Sequence, residues 1–245
     1  MTDHEPPPPT VVLVHGAFAD AGSWAGVTAL LLAEGVSVLA PAVPLRGIAI
    51  DSAYLASVMS NIDGPVLAVG HSYGGAIITN AASHARNVVG LVYVAGLAPD
   101  EDESIADAEA ISRDSIIAPA LLRRGFVMET GDGNAVELYI APSSFHRVFA
   151  SDLPEAQAAV LAASQRPLAE SAVAEKSRAA AWRWLPTWAV VATGDKVVGA
   201  DVVRSMARRA NAEIVELDGS HAIMISQPQS VTEVILSAMK AVSSW

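Results

Sequence analysis

The chain has 245 residues, of which 52% are hydrophobic and 17% charged. That composition excludes a disordered chain and suits one domain with a large core. A net charge of −11 with no visible basic face argues against a nucleic-acid binder and makes anionic membranes a poor partner, and the absence of cysteine removes disulfide and thiol chemistry.

Residues 1–9 are predicted as a leader outside the fold, stiffened by Pro6 to Pro9. Its Asp3-His4-Glu5 start has neither the basic residues nor the apolar core of a secretory signal. No apolar run reaches the roughly 20 residues of a membrane helix, so a soluble, cytoplasmic protein is expected. Thr10 to Val14 is a short, β-branched apolar run, as in a strand covered on both faces. It leads into His15-Gly16-Ala17-Phe18. Trp24, Val27 and Leu31 recur at helical spacing, and Gly35 is placed to end that helix. Val36 to Ala40 predicts a second strand, stopped by Pro41 and Pro44. Tyr54, Leu55, Val58, Met59 and Ile62 form a helical stripe that Gly64-Pro65 breaks.

Val66-Leu67-Ala68-Val69 then runs into Gly70-His71-Ser72-Tyr73-Gly74, and Gly75 to Ala82 reads as a helix. Strand, G-x-S-x-G, helix is the setting of a nucleophile elbow, in which a sharp reversal projects the serine hydroxyl above the sheet. A side chain at Gly70 or Gly74 would collide with the turn. The Tyr73 N–H starts the helix, where it can bond an anion. A passive serine in a glycine-rich turn is the alternative, but chance supplies only about 0.1 such patterns in a chain of this length.

Val88 to Ala95 is another buried strand. From Asp100 to about Trp184 the pattern changes: the stretch is alanine-rich, with helical patches such as Ala156-Ala159-Val160-Ala163, scattered aromatics (Phe126, Tyr139, Phe145, Phe149) and no convincing buried strand. This predicts an inserted, mostly helical cap over 100–184, with a long surface excursion as the alternative. The core pattern, begun over 10–99, resumes over 185–245. Trp188 to Thr193 is a strand, Val202, Val203, Met206 and Ala210 mark a helix, Glu213 to Leu217 is the last strand, and Val231 to Val242 is a closing helix with Pro228 near its start. Alternating strands and helices predict an α/β fold with a parallel sheet, helices on both faces and chemistry at the carboxyl ends of the strands.

A serine nucleophile needs a base within hydrogen-bond reach and an acid to orient that base. Enzymes with this elbow place the histidine last, in the loop after the final strand, which here holds Asp218-Gly219-Ser220-His221-Ala222. His221 is therefore the predicted base. His15 and His71, each before a glycine turn at a strand end, are predicted to be structural, with the His15 ring bonding backbone near the elbow. The acid should follow a late strand, as Asp195 does in Thr193-Gly194-Asp195-Lys196; Asp100 is the runner-up, ahead of Asp201 and Asp218. Two amides are needed for the oxyanion. Tyr73 supplies one, and Ala17, or failing it Phe18, the other. Gly16, Phe18 and Trp24 are candidate pocket residues, with core packing an equal alternative for Trp24. No cofactor is expected, because the chain has no HExxH, CxxC or Walker loop, and no further glycines at dinucleotide spacing follow His15-Gly16. The acidic run Asp100 to Asp102 reads as a solvated loop, not a metal site.

Val11 to Ala17, the Gly70–Gly75 elbow, Ala192 to Lys196 and Gly219 to Ala222 together resemble the α/β-hydrolase superfamily, and most of all its small serine esterases related to plant methylesterases and hydroxynitrile lyases. The resemblance implies a sheet of about six strands under an inserted cap. It also implies a serine carboxylic-ester hydrolase acting on small esters or lactones through an acyl-enzyme. The expected partner is a small-molecule ester, with neither nucleic acid nor membrane, and a homodimer is the assembly considered. Serine at the elbow argues against dehalogenase and epoxide hydrolase chemistry, which use aspartate there. The family's lyases carry lysine after the catalytic histidine and threonine after the first-strand histidine, where this chain has Ala222 and Gly16. A lyase and a catalytically silent receptor on the same fold are the alternatives. One departure stands out: the family commonly has proline four residues after the acid, and here that place is Gly199.

Overall fold

The structure, a computed structural model, describes residues 7–127 and 134–243. The core of the fold is built from strand–helix alternation. In chain order it runs β1 (Thr10–Val14), α1 (Ala25–Ala33), β2 (Val38–Leu39), α2 (Ile48–Ser60), β3 (Val66–His71), α3 (Tyr73–Ala81) and β4 (Val88–Val94). The segment after β4 holds α4 (Ile105–Ile111), β5 (Leu121–Val127), β6 (Asn134–Ile140), α5 (Pro142–Phe149), α6 (Glu155–Ser164), β7 (Leu168–Ala169) and α7 (Ser171–Ala174). The core then continues with β8 (Thr187–Ala192), α8 (Ala200–Arg209), β9 (Glu213–Leu217), α9 (Ile223–Ser226) and α10 (Pro228–Ser243).

Six strands form one parallel sheet in the order β2-β1-β3-β4-β8-β9. Alternation along each strand divides the core in two. Val11, Leu13, Leu67 and Val69 pack with Trp24, Leu31, Val231 and Ile235 of the α1 and α10 side. Val12, Val14 and Ala68 face the opposite way, with Leu55, Met59, Ile77 and Met206 of α2, α3 and α8. The chain leaves β1 for one edge of the sheet and returns to β3 on the other side of β1. That reversal opens a crevice at the carboxyl ends of β1 and β3, where the Gly16 loop and Ser72 meet.

Several expectations need correction. The second strand covers only Val38–Leu39, because as the sheet edge it pairs on one side alone and leaves Leu39 exposed. On α2 the buried face is Asp51, Ser52, Leu55, Ala56 and Met59, and Tyr54 points to solvent. Pro7 and Pro8 are exposed, but Pro9 is buried and not part of a leader outside the fold; residues 1–6 of that leader, with His4, lie outside the described residues.

The insert contains the expected helices and also a three-stranded antiparallel sheet, β5-β6-β7, that the sequence reading missed. The reason is physical. β5 is largely exposed, with Arg123 and Arg124 outward, so it lacks the apolar run that marks a strand buried on both faces. The insert is tied back to the core at both ends. Trp182 Nε1 donates to Pro99 O at 2.9 Å, and Asn80 of α3 donates to Ser177 Oγ and accepts from the Arg178 and Ala179 amides.

Candidate active site

Ser72 sits between β3 and α3 with φ 53° and ψ −124°, a left-handed region that costs a serine about 1–3 kcal/mol. The elbow is held there by close backbone approach. A Cβ at Gly70 would lie 2.6 Å from Gly74 O, and one at Gly74 would lie 2.5 Å from Val14 O. Only glycine fits either place. Tyr73 is the first residue of α3, so its N–H has no earlier turn to bond. Its phenol donates to the buried Asp51 carboxylate at 2.9 Å, which anchors the residue following Ser72 to α2. Burial pushes the Tyr73 phenol pKa up, and the Asp51 charge and hydrogen bond push it further.

His221, after β9, and Asp195, after β8, are both fully buried and joined Nδ1 to Oδ2 at 2.9 Å. The carboxylate's other oxygen accepts from the Val197 and Val198 amides at 2.8 and 3.2 Å. An ionised carboxylate only accepts, so the His221 proton lies on Nδ1 and its Nε2 lone pair is free. That Nε2 has no hydrogen-bond partner among the described residues, and no bond joins it to Ser72 Oγ. Such contacts are often long without substrate.

His71 bridges the two loops. Its Nε2 donates to the His221 carbonyl at 2.9 Å, and the two rings lie 4.6 Å apart. The residue before the serine thus pins the backbone of the predicted base. Burial holds the His71 pKa well below the usual histidine range, and the neighbouring His221 lowers it further. His15 accepts from Val43 N and donates from Nδ1 to Gly16 O, both at 2.9 Å, which fixes the turn after β1. Both rings have structural partners, as predicted. His146 bonds Leu153 O from the insert.

The alternative acids are engaged elsewhere. Asp100 holds Arg183 through both oxygens, Asp201 accepts from Ser112 Oγ and Arg113 N, and Asp218 approaches Thr193 Oγ1. Of the candidate oxyanion donors, Phe18 N–H already bonds Arg166 O at 2.9 Å, whereas no bond from the Ala17 N–H is found among the described residues. Gly16 abuts the serine so closely that a Cβ there would lie 2.6 Å from Ser72 Cβ.

An apolar cavity opens over Ser72. Ala17, Phe18 and Tyr73 form its floor, and Ile105, Ile117, Leu121, Leu138 and Val173 of the insert form most of its walls. Trp24, a candidate pocket residue, is not among the lining side chains. It is fully buried on the α1 side of the sheet, in edge contact with the His71 ring, so packing claims it. Gly199 stands with φ +94°, and a Cβ there would lie 2.1 Å from Ser112 Oγ. Proline cannot take that φ, which accounts for the departure noted in the sequence.

Two contributors escaped sequence reasoning because they reach the site from the insert. Asp152 accepts from Ser220 N at 2.9 Å and from the Ser220 hydroxyl, and Phe149 O accepts from Ala222 N at 3.1 Å, so the end of α5 clamps the His221 loop. Burial raises the Asp152 pKa, but the Ser220 donors outweigh it and hold the carboxyl below its ordinary value. The Phe149 ring meets the His221 ring edge to face, centroids 5.0 Å apart. No group of three or more His, Asp or Glu side chains among the described residues is arranged to hold a metal ion.

The sequence pattern of the alpha/beta hydrolase family matches residues 11–234. The chain belongs to the α/β-hydrolase family. No curated protein matches it in sequence. Among solved structures, polyneuridine aldehyde esterase superposes with a TM-score of 0.80 at 19% identity, covering 95% of this chain and 99% of its own. An extracellular α/β-hydrolase from a Paenibacillus species, described as sharing structural and functional homology with tobacco salicylic acid binding protein 2, gives 0.76 at 19% identity, over 94% of this chain and 99% of that one. A pyrethroid hydrolase from Sphingobium faniae JZ-2 gives 0.75 at 19%, over 97% and 99%. At these identities the likeness is one of fold alone. No helix among the described residues is long and apolar enough to cross a membrane.

Proposed function

We propose that this α/β-hydrolase is a cofactor-independent serine hydrolase that cleaves small carboxylic esters or lactones through an acyl-enzyme. The observation that carries the reading is the buried Asp195–His221 pair, 2.9 Å apart, in the loops beside a strained Ser72 elbow. In this scheme Ser72 Oγ attacks the carbonyl carbon while His221 Nε2 takes the hydroxyl proton. Asp195 keeps the other ring proton on Nδ1 and stabilises the imidazolium. The Ala17 and Tyr73 amides receive the developing oxyanion. His221 then returns the proton to the leaving alcohol, and water, activated by the same Nε2, releases the acid.

The apolar cavity over Ser72 supports a small organic substrate, and the esterase and hydrolase names among the structural neighbours support ester cleavage. Two observations weigh against cyanohydrin cleavage. Ala222 brings no charge to the residue after His221, and Gly16 has no room for the threonine that the lyases carry. The test is turnover of p-nitrophenyl acetate by the purified protein and its Ser72→Ala variant. The variant should fold as the parent does and lose at least about 10³-fold in kcat. Turnover retained at the parent's level would overturn the assignment.

A further inference from the structure

Almost everything that lines the cavity over Ser72 is apolar. The exception among the ionisable side chains, apart from the Tyr73 phenol already bonded to Asp51, is the carboxylate of Glu109. Ile105, Ala108 and Glu109 all line the cavity, and the i, i+3, i+4 spacing puts them on one face of α4. Glu109 is partly buried, and burial pushes its carboxyl pKa up.

Its isolation contrasts with its neighbours. Asp107 on the same helix pairs with Lys176 at 2.6 Å, Asp100 pairs with Arg183 at 2.7 Å, and Glu103 pairs with Arg209. The Glu109 side chain makes no hydrogen bond or ion pair among the described residues. A carboxylate held against apolar walls without a partner lacks part of its stabilisation. A cation entering the cavity would restore it, because attraction at a few ångströms is several-fold stronger in such surroundings than in water. A neutral ligand of the same shape offers no such gain.

We infer that Glu109 makes this cavity select esters bearing a positively charged amino group over neutral esters of the same shape. The inference deepens the hydrolase reading and rests on it, since the cavity matters as a substrate site only if Ser72 is the nucleophile. The covalent step is the ester cleavage already described. Glu109 enters it only by holding the cationic end of the substrate.

Acetylcholine and 3,3-dimethylbutyl acetate test this, because they differ by nitrogen against carbon at one quaternary centre. Binding of each to the Ser72→Ala protein, followed by NMR titration, reads the preference without turnover. Acetylcholine should bind about tenfold more tightly, the equivalent of about 1.4 kcal/mol. Adding Glu109→Gln, which keeps the shape and breaks no contact, should abolish the difference by weakening acetylcholine alone. Glu109→Lys should reverse it. Equal affinities in the Ser72→Ala protein, a failure to bind either ester, or a preference that survives Glu109→Gln would each overturn the inference. Hydrolysis of the neutral ester by the parent protein reports separately on the hydrolase reading. If that hydrolysis depends on Ser72 while no cation preference is found, selectivity fails and the hydrolase stands.

Discussion

Gly16→Ala is the smallest change that probes how tightly the turn after β1 is fitted to the elbow. A Cβ at this position would lie 2.6 Å from Ser72 Cβ, 2.9 Å from His71 O and 3.1 Å from His71 Nδ1. Comfortable carbon contacts begin near 3.5 Å, so the added methyl demands a shift of about 1 Å. The atoms in the way belong to the proposed nucleophile and to the histidine that pins His221, and none is the end of a flexible surface chain. A displacement of about 1 Å at reacting groups costs about 10²-fold in rate. Overpacking of this kind costs about 1–3 kcal/mol in stability, and in a chain of this size each kcal/mol lowers Tm by about 2–4 °C. Gly16→Ala should therefore lose about 10²-fold in kcat/KM for p-nitrophenyl acetate and melt several degrees below the parent. Both are measured on one preparation, by initial rates and by a thermal scan. Parent activity together with parent Tm would refute the steric argument. A lowered Tm with full activity would show that the fit serves packing and not the placement of Ser72.

The remaining expectations concern the acid and the buried histidines. Asp195→Asn should cost about 10³- to 10⁴-fold in kcat, because the amide can donate to Nδ1 and so leave the proton on Nε2, where the lone pair is needed. Asp100→Asn should be near normal, since that carboxylate serves Arg183; the reverse pattern in steady-state rates would move the acid to Asp100. Burial, with the nearby His221, depresses the His71 pKa in the folded state, so as pH falls below about 6.5 the unfolded chain takes up a proton before the folded one. The contribution of His71 is thus present above that pH and lost on acidification. Urea unfolding across pH 5 to 7.5 should show the parent losing stability relative to His71→Gln by up to about 1.4 kcal/mol per pH unit; parallel curves would mean that His71 titrates alike in both states.

The parallel core was legible because its strands are covered on both faces. β1, β3, β4 and β8 read as uninterrupted apolar runs, and β9 followed from its place before the last loop. The insert was less legible because its sheet has a different physical character. β5 is largely exposed and carries Arg123 and Arg124, the second with its guanidinium over the ring of Tyr139 on the neighbouring strand. Thr130-Gly131-Asp132-Gly133 between Phe126 and Tyr139 was the available hairpin signal, a cluster of turn residues between two runs with aromatic and β-branched content. On α2, hydropathy favoured Tyr54 over Asp51 for the interior. The structure buries Asp51 because the Arg46 and Gly47 amides and the Tyr73 hydroxyl all donate to it, partners that no local pattern reveals.

At the site, legibility follows how local each constraint is. Gly70, Ser72 and Gly74 could be read from spacing because the turn they make is closed within a few residues, with Gly74 O against Gly70. Asp152 and Glu109 could not, since their positions depend on how the insert folds over the sheet. Gly199 lies between these cases. It departs from the family's preference for proline, yet Asp195 receives the Val197 and Val198 amides and meets His221 at 2.9 Å. What differs is the exit from that turn. With φ +94° at Gly199 the chain enters α8 by a route closed to proline, and Ser112, the first residue past α4, sits 2.1 Å from where a Cβ would be. The turn that holds the proposed acid therefore tolerates a change four residues on because its own hydrogen bonds are complete before the chain reaches it, and the space released there is used to seat the insert.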